Sequence, residues 1–278
     1  MKTKTIEELL SWAFVHELPK GGGVDGLDSV NSAWRMLQAS SWGKITAFAE
    51  LMTMVQVDRG DGGMWLEQGE PHEDAIVLGQ AVADLAQCDV MIPAGWNALA
   101  DWPDDDGLVM PAVARAIERY QLRPAMRRRA GIVSLVVGTA ILARDPVWQA
   151  EPSRVRMVER GGQPAWFVER RTKDEFGREH VLEVDGRNAR TRRPLAGAYR
   201  KYEFSENPTG DILGRLDWQI WVAALRLLER MVSPRLVGHR LSPCDRSMTP
   251  WLAGDRGGVM LVPLPIQKGV SKKIASAC

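Results

Sequence analysis

The spacing of apolar residues changes twice along the chain, and these changes restrict the fold more than any other feature. From residue 6 to about residue 143, and again from 211 to 232, apolar residues recur at intervals of three and four, as on the buried face of a helix. Between residues 154 and 185, β-branched and aromatic runs are separated by the turn-like segments GGQP and DEFG. The sequence therefore predicts an α+β protein, in which a helical acidic N-terminal part precedes a C-terminal part with helices and a small antiparallel sheet.

The same spacing predicts where the individual elements lie. We expect helices over residues 6–18, 28–37, 42–57, 71–85, 108–122, after Pro124, and 211–232. A short strand is expected at 90–92. The runs 154–160, 165–171 and 179–185 predict a three-stranded antiparallel meander, to which 198–204 would add a fourth strand.

Charge is divided unequally along the chain, although the formal net charge is only +1. Residues 1–112 contain 6 Lys and Arg against 18 Asp and Glu, whereas residues 113–240 contain 25 against 15. Such asymmetry indicates either a polyanionic partner or attraction between oppositely charged surfaces of one fold. We expect three regions: an acidic helical region at 1–107, a basic α+β region at 108–240, and an irregular C-terminal extension at 241–278.

Cysteine content and hydropathy restrict the cellular compartment that we expect for the protein. Cys88, Cys244 and Cys278 are odd in number and widely spaced, so they predict neither a disulfide framework nor a metal-binding pair. The start of the chain lacks the apolar core of a signal peptide. The most apolar segment, residues 130–143, is shorter than the ~20 residues that cross a bilayer. These features predict a cytoplasmic protein without membrane association.

Motifs for catalysis, nucleotide binding and metal binding are missing from the sequence. The glycine segment 21–26 lacks the Lys and Ser or Thr of a phosphate-binding loop, and there is no G-x-S-x-G. The acidic cluster Asp104–Asp106 fails the calcium-loop pattern. His72, Glu73 and Asp74 are consecutive, but successive helical side chains point about 100° apart and do not readily share one ion. We predict no cofactor, no metal and no catalytic residue, which favours a non-enzymatic protein.

Arginine clusters are the strongest binding signal. Residues 187–201 contain six basic residues and no acidic one, with Tyr199 interleaved, a composition that suits phosphate contact and base stacking. Residues 127–129 form a second cluster at the expected first turn of a helix, where cations oppose the positive end of the helix dipole. A nearby anion, either a phosphate or a carboxylate of the acidic N-terminal half, would relieve this repulsion. The predicted nucleic-acid-binding residues are Arg127, Arg128, Arg129, Arg187, Arg190, Arg192, Arg193, Arg200 and Lys201.

Three stretches carry a resemblance. TIEELLSWAFVHELPKGGG, ASSWGK and KYEFSENPTGDILGRLDWQIWVAALRLL resemble uncharacterised proteins carried by bacterial prophages and integrated elements. The resemblance implies a setting in phage or mobile-element biology and supplies no site residues.

Two functions follow as hypotheses. The first is a nucleic-acid-associated protein of a phage or mobile element, of regulatory type, with DNA or RNA as its partner. The second is a protein-interaction factor, in which the acidic N-terminal half imitates nucleic acid and inhibits a host nucleic-acid-binding machine. An enzyme whose site assembles only in three dimensions is the third alternative.

Overall fold

The fold is described by a computed structural model that covers residues 2–18, 70–254 and 257–264. The helices predicted at 28–37 and 42–57 lie outside the described residues. The described chain divides into two compact units, each assembled from separate segments. Unit 1 contains the described residues that fall within 1–96, 121–148 and 214–278, and unit 2 contains residues 97–120 and 149–213.

Five α-helices are found in the described ranges, and all five were predicted from apolar spacing. They are α1 (Ile6–Trp12), α2 (Glu73–Asp84), α3 (Val109–Gln121), α4 (Ala125–Leu142) and α5 (Thr209–Val232). Thr5 begins α1 with a capping box, in which the Glu8 backbone N–H donates to Thr5 Oγ1 and the Thr5 N–H donates to Glu8 Oε2. One π-helical segment, Ala13–Glu17, continues α1.

Ten short strands pair two by two in the residues that the structure describes. They are β1 (Lys2–Lys4), β2 (Cys88–Met91), β3 (Val155–Met157), β4 (Glu159–Arg160), β5 (Gln163–Pro164), β6 (Phe167–Lys173), β7 (Glu179–Asp185), β8 (Tyr202–Phe204), β9 (His239–Leu241) and β10 (Met260–Pro263). Helices together with small sheets confirm the predicted α+β class.

Unit 1 is a helical core with two strand pairs. Its core contains the apolar faces of α1, α2 and α4 and the C-terminal part of α5. Ile132, Val133 and Val136 of α4 are at most 2% exposed, so the apolar segment is helical and buries one face, although Leu142 at its end is 40% exposed. Strand β1 pairs in parallel with β9, and β2 pairs antiparallel with β10.

Unit 2 contains most of α3 and a set of antiparallel pairs. Strands β6 and β7 form a seven-pair hairpin, β4 and β5 form a minimal hairpin at the GGQP turn, and β3 pairs with β8. The predicted three-stranded meander is therefore wrong. The GGQP turn joins β4 to β5, which pair only with each other, and β3 pairs with the later β8 instead of with β6.

The structure differs from two further expectations. Residues 241–278 were expected to be irregular, yet β10 lies in this segment because it completes a ladder with β2. Residue 107, the expected end of the acidic region, lies inside the 97–120 segment of unit 2. No helix in the described ranges is both long enough and apolar enough to cross a membrane.

Candidate functional site

The arginines of the first turn of α4 are largely used within unit 1. Arg128 Nη1 donates to the backbone carbonyls of Gln121 and Arg123, at 2.8 and 2.7 Å. Arg128 Nη2 and Arg129 Nη2 lie 3.8 and 3.3 Å from the carboxylate of Asp89. Asp89, from the acidic N-terminal half, therefore supplies the anion that the sequence led us to expect beside this helix N-terminus. Arg127 is exposed and makes no ion pair with a described residue.

Unit 2 presents the other predicted residues in a compact loop, residues 187–194, which we name the arginine loop. An antiparallel bridge between Arg187 and Pro194 closes it. Asn188 Oδ1 accepts hydrogen bonds from the backbone N–H groups of Arg190 and Thr191, at 2.9 and 3.0 Å. The fold of the loop therefore comes from backbone and Asn188 contacts, so the arginine side chains are not needed to hold it together.

Three guanidinium groups project from this loop. Arg190, Arg192 and Arg193 are all exposed, and none forms a side-chain hydrogen bond or ion pair with any described residue. Arg192 has a φ of 55°, a left-handed conformation that costs a non-glycine residue free energy. Arg187 differs from these three because its Nη1 donates to Gln163 at 3.1 Å.

Arg200 and Lys201 follow the loop and have different surroundings. The Arg200 guanidinium lies 4.4 Å from the centre of the Trp166 ring, in a cation–π contact. Lys201 binds the Glu183 carboxylate, which also accepts a hydrogen bond from the Tyr199 hydroxyl at 2.6 Å. That hydrogen bond raises the pKa of Tyr199 to about 12. Of this pair, only Arg200 has no carboxylate partner among the described residues.

A histidine centre in unit 1 was missed by sequence reasoning. Asp74 at the start of α2 is completely buried, and its carboxylate accepts four hydrogen bonds. Oδ1 accepts from the Val237 N–H at 2.7 Å. Oδ2 accepts from the Gly238 and His239 backbone N–H groups, both at 2.9 Å, and from His239 Nδ1 at 2.8 Å. We name this arrangement the Asp74 clasp, because one carboxylate ties residues 237–239 to the N-terminus of α2.

The Asp74 carboxyl stays ionised in this setting. Burial alone would raise its pKa, but the N–H donors of Val237, His239 and Gly238 more than offset that effect and lower the pKa below its ordinary value. His72 caps the same helix, with its Nδ1 accepting the Asp74 backbone N–H at 3.0 Å. The Trp12 ring packs against both imidazoles, at centroid distances of 5.4 Å to His72 and 4.6 Å to His239.

The three side chains of the centre also form the one group in the described ranges that could hold a metal ion, with ligand atoms within 4.8 Å of one another. Hydrogen bonds already engage these donors: Asp74 Oδ2 accepts three N–H groups, and His72 Nδ1 accepts a backbone N–H. A site that used Asp74 Oδ2 and His72 Nδ1 would have to break these bonds, whereas the Nε2 atoms of His72 and His239 make no hydrogen bond with a described residue. The geometry fits a structural clasp better than a metal cage.

Two cavities, of about 510 and 550 Å³, lie elsewhere in unit 1. They share Arg246, whose Nε donates to Glu7 at 3.0 Å and whose Nη1 donates to Asp145 at 2.8 Å. Neither His72 nor His239 lines either cavity. The clasp therefore does not open onto either of these cavities.

The sequence contained only half of the signal for the clasp. His72 and Asp74 are close in sequence at a helix start, but His239 is 165 positions from Asp74 and no local pattern joins them.

No family model, curated protein or solved structure matches this chain.

Proposed function

We propose that this protein associates with nucleic acid through the arginine loop of unit 2. The observation that carries the proposal is the free state of Arg190, Arg192 and Arg193, three exposed cations that no described side chain neutralises. Like charges this close along the chain repel one another, and phosphate oxygens would relieve the repulsion while accepting charge-assisted hydrogen bonds.

Preorganisation adds to the proposal. The bridge between Arg187 and Pro194 and the Asn188 hydrogen bonds fix the loop backbone before any ligand arrives. Binding then orders only side chains, which lowers the entropic cost of association. The arrangement supports phosphate contact, which positions a protein on nucleic acid without reading its sequence.

The internal contacts reduce the predicted set of binding residues. Arg128 and Arg129 already contact Asp89, and Lys201 already binds Glu183. Breaking these pairs would offset the gain from binding phosphate. We therefore assign the main contacts to Arg190, Arg192 and Arg193, with Arg187 and Arg200 in support, and Arg127 stays a prediction. A regulatory role in a phage or mobile element is part of the proposal, and the resemblance implies the phage or mobile-element setting alone.

The test compares two triple variants in a fluorescence anisotropy titration with labelled DNA and RNA. Changing Arg190, Arg192 and Arg193 to Ala should weaken binding and lower the slope of log K against log salt by about 2–3, since each phosphate contact contributes about 0.7–0.9. The control changes Arg115, Arg119 and Arg154 to Ala, which removes the same charge from exposed positions of the same unit. If the two triple variants lost the same amount of binding affinity, net charge alone would explain the loss. If the wild-type protein bound neither DNA nor RNA at about 50 mM salt, the proposal would be refuted.

The alternative, an inhibitor that imitates nucleic acid, rests on a different observation. Asp105 and Asp106 are exposed and form no ion pair with a described residue, whereas Asp104 accepts the Val109 N–H at the start of α3. Capture of a host nucleic-acid-binding protein from nuclease-treated lysate, weakened by Asp105→Asn with Asp106→Asn, would favour this alternative over direct binding.

A further inference from the structure

The β6–β7 hairpin, which we name the ribbon, separates its charges between two faces. Side chains alternate along a strand, and the register pairs Val168 with Val184, Arg170 with Leu182, and Thr172 with His180 on one face. None of the β6 and β7 residues on this face is acidic, and for that reason we name it the carboxylate-free face. At its turn end, the Asp174 carboxylate of the connecting turn lies 3.0 Å from His180 Nε2. All four carboxylates of the two strands lie on the opposite face: Glu169, Glu179, Glu183 and Asp185.

Contacts confirm which face is which. On the carboxylate-bearing face, Glu183 binds Lys201, Asp185 lies 3.4 Å from Arg160, and Glu179 lies 3.8 Å from Lys173. The acidic side chains there are thus largely occupied by basic ones. On the carboxylate-free face, Arg170 is exposed and makes no ion pair within the described part of the chain.

The alternation extends the carboxylate-free face beyond the ribbon. The bridge between Phe167 and Tyr199 places Trp166 and Arg200 opposite each other, one position further along. These two side chains form the cation–π contact at 4.4 Å. Arg200, one of the predicted binding residues, therefore lies at the base of this face, and the arginine loop begins two residues after the end of β7.

An aromatic ring lies at the other end of the ribbon. Phe176 is 85% exposed at the turn between the strands. The turn is ordered, because Asp174 Oδ1 accepts the backbone N–H groups of Phe176 and Arg178, at 2.9 and 2.8 Å. Exposure of a whole phenyl ring on an ordered turn leaves about its full apolar surface in water, which a stacking partner would cover.

We propose that the carboxylate-free face and Phe176 form a track for single-stranded nucleic acid, which rests on the proposed function and names its substrate class. The seven-residue strands span about 23 Å, at about 3.3 Å per residue. Phosphates of the strand contact Arg170, Arg200 and the arginine loop, and bases stack on Phe176 and pack on Leu182. In a duplex the base faces are already stacked, so reaching them costs a few kcal/mol per step. A single strand offers them freely, which favours it as the ligand.

The experiment measures anisotropy of labelled oligothymidine of about 16 nucleotides and of a duplex of equal length, at about 50 mM salt. Single strand should bind more tightly than duplex. Phe176→Ala should weaken single-strand binding by about 5- to 150-fold, the usual range for a stacked base. Phe176→Trp, which keeps an aromatic ring, should bind single strand about as tightly as the wild type. The matched pair is Arg170→Ala and Arg171→Ala: both arginines are exposed and adjacent, but only Arg170 lies on the carboxylate-free face.

The outcomes separate this inference from the proposed function. Loss of binding in the arginine-loop triple with no effect of Phe176→Ala, or equal effects of Arg170→Ala and Arg171→Ala, would overturn the track and keep nucleic-acid association. Tighter binding of duplex would also overturn it. A dimer in light scattering that Arg170→Ala dissociates would assign the face to a second copy of the chain. Failure of the wild-type protein to bind any nucleic acid would overturn both.

Discussion

Replacing Asp74 with Asn removes the charge of the Asp74 clasp while keeping its shape, and the structure sets the size of the effect. An Asn side chain has one acceptor oxygen where Asp74 has two. If the amide oxygen replaces Oδ2, the NH₂ group faces the Val237 N–H, which donates to Oδ1 at 2.7 Å in the wild type. If the amide flips, the NH₂ group faces the three donors of Gly238 and His239. Either orientation sets donor against donor in a fully buried site.

The expected loss is about 3–5 kcal/mol in the free energy of unfolding of unit 1, as when one partner of a buried charged pair is removed. This is a large share of the roughly 5–15 kcal/mol that stabilises a typical protein. Urea unfolding followed by tryptophan fluorescence measures it, because Trp12 packs against both imidazoles of the centre. Glu73→Gln is the control: Glu73 is exposed, and the change should stay within about 0.5 kcal/mol.

The pH dependence of this difference follows from the lowered pKa of Asp74. A carboxyl with a depressed pKa in the folded state stabilises the fold above its unfolded pKa, about 3.9, and loses that contribution as pH falls through the folded value. The gap between wild type and Asp74→Asn should shrink as pH falls below about 4. A loss under about 1 kcal/mol at pH 7, or a gap that widens in acid, would refute the clasp as a stabilising ionised group.

Three further predictions concern other sites. Burial raises the pKa of Asp217 to about 6, so the contribution of Asp217 to the free energy of unfolding should fall as pH rises from about 4 to 6. Asp217→Asn should therefore raise the free energy of unfolding at pH 7.5 by up to about 3 kcal/mol, with no gain near pH 4, and urea titrations at the two pH values measure the difference. Asn188→Ala removes the acceptor of two arginine-loop N–H groups and should weaken nucleic-acid binding several-fold in anisotropy, with thermal unfolding nearly unchanged. Gly186→Ala places a Cβ 2.8 Å from the Phe167 backbone and should destabilise unit 2 by about 1–3 kcal/mol in thermal unfolding, whereas Gly161→Ala, which has open space but a positive φ, should cost less.

Sequence reasoning succeeded where local spacing determines the structure. Apolar residues at intervals of three and four identified α5 almost to its ends, and Pro124 marked the start of α4. Such periodicity is a property of neighbouring residues, so one chain suffices to detect it.

Pairings over long distances could not be predicted in the same way. Nothing in the composition of β3 indicates that its partner is β8, because short strands with similar residues have several possible partners. The same limit hid the link between Asp74 and His239. The two faces of the ribbon are a partial exception. The alternation of side chains along each strand can be read from the sequence, but the composition of each face also depends on the register that aligns β6 with β7.

The separation between the halves of the Asp74 clasp affects how the protein is made. Asp74 and its partners are 163–165 positions apart, and β1 pairs with β9 near residue 240. At about 5–20 residues per second, a ribosome needs roughly 8–33 seconds to add that length. During this interval α1 and α2 lack the strand and the N–H donors that complete their unit, while the ribbon of unit 2 can already close on its own turn. Stalled nascent chains ending before residue 237 should therefore be cut by protease near α1 and α2, and chains released at full length should resist.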